Sequence, residues 1–244
     1  MLQITIYGGV TGLSLFFGAL TGIVSKWRQK NIARFMAFGA GVLICALTFG
    51  LMENAFGHGG FDAVIIGFLA GGLTFIGFDY LIHYFGGRAH RKHPQYKKVK
   101  DVNGALITAG TVLDGIPESV ALGVALATGQ AGGLLMLAAI TLSNFPEGIS
   151  SITGLKREGF KNWQILTIWG IVAVVSLLFA VGGFVFLKDI DPNITGTAEA
   201  FAAGAILAML ANSMMPEAYE DGGASIGILT VLGFLTAFLI SRFK

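Results

Sequence analysis

The chain has 244 residues, of which 54% are apolar and only 12% charged, with 16 Lys and Arg, 14 Asp and Glu, and 36 glycines. An ordinary soluble protein carries roughly 25% charged residues. Such long uncharged stretches exclude a soluble globular domain, a disordered chain and a nucleic-acid binder, and they describe an all-α polytopic membrane protein. The apolar runs are too long for strands and do not alternate. The one cysteine, Cys45, lies in an apolar run, so no intrachain disulfide is expected.

A helix crosses the hydrocarbon core with about 20 apolar residues. Eight predicted spans meet that length: Leu2–Ser25, Phe35–Phe56, Phe61–Phe85, Gly104–Ala127, Ala131–Thr153, Trp163–Leu187, Thr197–Glu217 and Ala224–Ile240. The first begins MLQITIYGGV, without a basic leader, and reads as a retained helix and not as a cleaved signal. Lys26, Arg28, Lys30 and Arg34 follow it. The second span ends near Glu53, and His58 falls in the short outer loop after it. The third carries Asp79 and His83, four residues apart, which form an interfacial pair or hand a cation inward. The long connection 86–103 holds six Lys and Arg with His90 and His93, which could hold a metal weakly but read better as part of a solvated basic loop able to meet anionic lipid.

The fourth and fifth spans hold acids where lipid should exclude them. Asp114 and Glu118 are four apart on one helix face, and Ser143 and Glu147 repeat the spacing, with Asn144 beside them. Each Glu follows a proline, Pro117 or Pro146, which frees the carbonyl of Leu113 or Leu142. In a membrane such a carbonyl needs water, a metal ion or another polar partner. An acid at mid-membrane costs on the order of 2.5–3.5 kcal/mol, and every Lys and Arg is assigned to a loop or the tail. The acids must then be protonated and hydrogen-bonded, hydrated, or bound to a cation from outside the chain.

Lys156, Arg157 and Lys161 follow the fifth span, and the sixth carries no acid. Asp189, Asp191 and Glu199 lie outside near the start of the seventh, where they either raise the local cation concentration or are simply the acids expected at a helix N-terminus. The seventh contains Asn212 and a third proline–acid pair, Pro216–Glu217. Its Met209 and Met214, with Met215, read as packing. Thirteen basic residues thus fall on one side and three, Lys188, Arg242 and Lys244, on the other, which puts both termini outside. TFGLMENAF in the second span compares with ANSMMPEAY in the seventh. Spans 1–3 and 6–8 are therefore expected to form an inverted repeat around 4 and 5, a 3+2+3 arrangement with its site at the repeat interface. Glu53 would then stand at an outer entrance and Glu217 at an inner exit.

The stretches Asp114-Gly-Ile-Pro-Glu-Ser119 and Ser143-Asn-Phe-Pro-Glu-Gly148 resemble the paired proline–glutamate motifs of the ZIP (Zrt/Irt-like) family of divalent-metal transporters, in its bacterial branch. AFGAGVLICALTFGLMENAF and MMPEAY are similar to it as well, and the resemblance runs over essentially the whole chain. It implies import of zinc, iron, manganese or a similar ion such as cadmium into the cytoplasm, as substrate and without an organic cofactor. It further implies an inner (plasma) membrane setting, alternating access of an elevator kind and a homodimer. Carried over by position, the metal ligands are Asp114, Glu118, Ser143 and Glu147, with Asn144 adjacent; Asp114 replaces the family's histidine, Gly115 its asparagine, and Ser143 its glutamine or histidine. With no acid in the sixth span, one metal per site is expected, and nearly all-oxygen ligands suit harder ions. The competing reading is a proton- or sodium-coupled carrier of a small solute whose acids bind the coupling ion. An intramembrane hydrolase is disfavoured, because no HExxH pair or nucleophile–base pair lies in a span.

Overall fold

A computed structural model describes residues 1–84, 104–129, 132–157 and 159–242. The basic connection 86–103, with His90 and His93, lies outside the described residues, as does the side chain of His83. Every element among the described residues is helical: α1 (Leu2–Val24), α2 (Gln29–Ala46), a π-helical turn (Leu47–Met52), α3 (Glu53–Tyr84), α4 (Gly104–Ala127), α5 (Gly132–Arg157), α6 (Asn162–Leu187), α7 (Pro192–Met209), a second π-helical turn (Leu210–Met214), α8 (Met215–Gly222) and α9 (Ser225–Arg242).

Five helical stretches among the described residues are long and apolar enough to cross a membrane: Leu2–Val24, Gln29–Ile82, Asn162–Leu187, Pro192–Gly222 and Ser225–Arg242. The second has 54 residues, more than twice what one crossing takes. It is interrupted at Gly60, where φ 64° and ψ −161° leave the helical region. Only glycine adopts that backbone without strain. Gly223 does the same between α8 and α9, with φ 66° and ψ −156°. The chain turns back at both glycines. Gly196 of α7 lies against Ala55 and Gly59, whereas residues 67–72 of α3 run beside 197–204 of α7 in the same direction. In the same way α9 runs parallel to α2, with Gly41 against Thr230 and Gly233 against Phe38.

These two pairs are built alike. At Gly71 a Cβ would strike the Phe201 carbonyl, and at Gly204 it would strike the Phe68 carbonyl. The same reciprocal exclusion joins Gly233 to Phe38 and Gly41 to Thr230. Lipid tails are as apolar as leucine, so helices in a membrane associate through such close packing and not through the hydrophobic effect. α2, α3, α7, α8 and α9 form one group. α1, α4, α5 and α6 form a second, in which Gly18 of α1 meets Gly148 of α5 and Gly123 of α4 meets Gly183 of α6. The groups meet mainly through α2 against α5 and α4 against α7. The outward faces of α3, α6 and α9 expose Leu69, Leu73, Leu178, Phe186, Val231 and Leu239, the surface a bilayer covers.

Candidate functional site

α4 and α5 are joined at Thr128–Gly132 and lie side by side, each with its proline inside the helix. The motifs face one another. The Ser143 hydroxyl donates to Glu118 Oε1 at 3.4 Å and to its own helix at the Ile140 carbonyl. Glu118 is 2% exposed, Asp114 3% and Ser143 fully buried. Asp114 and Glu147 stand close enough to Glu118 to repel it when all three are charged.

The second wall comes from the break between α7 and α8. A π-helical turn adds a residue to the helix and re-aims the side chains around it. Here it turns Ser213 toward α4, where its hydroxyl donates to Asp114 Oδ2 at 3.3 Å. Three residues beyond the turn, Glu217 accepts a short hydrogen bond from the Ser150 hydroxyl of α5. Asp114, Glu147, Ser213 and Glu217 line one cavity with Met36, Met209 and Met214. Its volume is about 10 Å³, the room one water or a bare metal ion takes. Carboxylates and hydroxyls offer hard oxygen donors, and the thioethers add soft sulfur beside them. Among the described residues no three His, Cys, Asp or Glu are gathered tightly enough to close on a metal ion as they stand. The arrangement is an open set of donors.

The other residues singled out from the sequence divide. Asn144 turns to α1, donating to the Thr11 carbonyl at 3.2 Å, and does not line the cavity. Asn212 donates to Asp79 Oδ2 at 3.5 Å, tying α3 to the second π turn. Glu53 is exposed near Gly60, and the structure does not bring it to the cavity. Two residues the motifs did not indicate, Ser150 and Ser213, contact the acids directly. Met36, Met209 and Met214 are buried, as packing residues should be, and also border the acids. Glu199, read from the sequence as an acid near a helix N-terminus, lies two turns into α7 with no exposed area, and it pairs with His58.

Residues 88–242, which contain both proline–glutamate motifs and Pro216–Glu217, match the family described as ZIP Zinc transporter. Over 201 residues the chain is 28% identical to a protein of Arabidopsis thaliana named for zinc transport, an alignment covering 76% of this chain. The chain spans 30% of that relative's length. The match over most of the chain, on the same helices that bring the buried acids together, shows that it belongs to the ZIP zinc transporter family.

Proposed function

We propose that the protein carries a divalent metal ion, of the zinc, iron or manganese kind, across the membrane toward the cytoplasm. One observation carries this reading: two proline-containing helices and a π turn direct Asp114, Glu147, Ser213 and Glu217 into one ion-sized cavity beside Glu118. Family membership supports metal as the cargo. The site residues are Asp114, Glu118, Ser143 and Glu147, and Glu217 with Ser150 forms the step on the way out.

The chain crosses the bilayer eight times, counting two passes for Gln29–Ile82 and one each for α4 and α5. The basic segments of the sequence support an orientation in which the Gly223 end faces the cytoplasm and the Gly60 end the exterior. The matched glycine pairs and the shared π turn and glycine turn of α2–α3 and α7–α9 support an inverted repeat. Purified protein in liposomes should take up Zn²⁺ or Mn²⁺, read by a trapped metal-sensitive dye. Glu118→Ala and Glu147→Ala should each abolish uptake while leaving the protein monodisperse. Uptake at the unmodified rate in both variants would refute the site.

A further inference from the structure

The Gly60 end of the molecule holds a second pairing of metal-binding side chains, apart from the acids of α4 and α5. His58 lies two residues before the glycine turn, and Glu199 lies two turns into α7. Their backbones are held together one turn away. A Cβ on Gly196 would stand 2.7 Å from the Ala55 carbonyl and 2.8 Å from the Gly59 nitrogen, so only glycine lets α7 come so near. The approach sets His58 Nδ1 2.9 Å from Glu199 Oε2.

The pairing leaves the carboxylate half satisfied. Glu199 has no exposed area, and its Oε1 has no hydrogen-bond partner. The Thr128 hydroxyl, just past the end of α4, lies within reach of the carboxylate and is shared with the carbonyls of Val124 and Ala125. A buried carboxylate with an unmet oxygen is costly unless a further positive or donor group meets it. The imidazole, with 27% of its side chain exposed, is the part of the pair open to the exterior. Two donors of a tetrahedral metal ion, each about 2.0–2.1 Å from it, stand roughly 3.3 Å apart. Nδ1 and Oε2 therefore need to open by only a few tenths of an ångström to admit one.

We infer that His58 and Glu199 form a second divalent-cation site, with nitrogen and oxygen donors suited to zinc-like ions, completed by the Thr128 hydroxyl and water. It is distinct from the cavity at Asp114. Thr128, the residue after α4, is ten residues beyond Glu118, about 15 Å at the helical rise, and buried Ala121, Leu122 and Ala125 lie between them. On the orientation proposed above, this site takes the ion first and hands it to the α4–α5 acids, so that deeper role rests on that reading.

The test uses the full chain in nanodiscs, with Zn²⁺ alone as the probe, followed by calorimetry and zinc X-ray absorption. The Glu118→Ala/Glu147→Ala double variant should still bind one zinc, with one imidazole in its shell. Adding His58→Asn should remove the imidazole signature, and either His58→Asn or Glu199→Gln should weaken binding tenfold or more; His58→Asn, at the exposed partner, guards against a folding loss in Glu199→Gln. In otherwise unmodified protein, His58→Asn should raise the KM for uptake with kcat unchanged. A double variant that binds no zinc, or binds it equally well after both further changes, overturns the proposal. Wild type that binds no more zinc than the double variant would instead refute the α4–α5 site and leave this one standing.

Discussion

From Glu118 toward the Gly223 end lie Asp114, Ser213, Glu147, Glu217 and Ser150, linked by hydrogen bonds or by one shared cavity. Toward the Gly60 end lie Leu51, Leu122, Ala125, Met136 and Ile140, each at most 1% exposed. Only beyond that layer do polar groups return, at Thr128, Glu199 and His58. A partly stripped ion can follow oxygen donors, but it cannot pass closed apolar packing without paying its full dehydration cost. On the proposed function, oxygen donors continue from the acids toward the Gly223 end, and buried apolar packing separates them from the other.

The comparison breaks most visibly if its centre is removed. Glu118→Ala and Glu147→Ala should each lower metal uptake more than about 100-fold, beyond what loss of a merely supporting group costs. Glu118→Gln should be nearly as damaging, because it keeps the shape and loses the charge; dye-loaded liposomes measure all three. Next comes accessibility. In a Cys45→Ser background, Ser150→Cys should react with a small charged thiol reagent from the Gly223 side at least about tenfold faster than Ala125→Cys reacts from either side. Equal rates would mean the apolar layer is no seal. The smallest effect separates the two acids that the sequence made equivalent. Glu217→Ala should slow uptake several-fold, about the worth of one lost polar contact of 1–1.5 kcal/mol, whereas Glu53→Ala should stay within about twofold. A larger loss at Glu53 would put an entrance step where the structure shows an exposed side chain.

Much of the central site was legible because lipid makes a carboxylate conspicuous. Asp114, Glu118 and Glu147 stood out by charge, by spacing and by their prolines, and the structure gathers them beside one cavity. What the sequence withheld was rotation between helices. Asn144 and Ser143 are neighbours, yet one faces α1 and the other Glu118, and no spacing rule chooses between them. The π turns carry no residue signature, so Ser213 could not be aimed at Asp114 in advance. Glu199 looked like the acids that commonly open a helix, a role Asp191 does fill by accepting from the Asn193 amide at 2.9 Å. The available clue was its setting in TAEAFAAG, where small residues on either side let neighbouring helices close over it.

The interlocked glycines bear on biogenesis. α2 is clasped by α9 and α3 by α7, so each early helix pair is completed by a segment made near the end of synthesis. The carbonyls of Phe38 and Phe68 meet their mates, Gly233 and Gly204, only after those later helices enter the bilayer. Assembly is therefore committed late, and a nascent chain stalled before α7 has its first helices inserted but not yet joined into a frame.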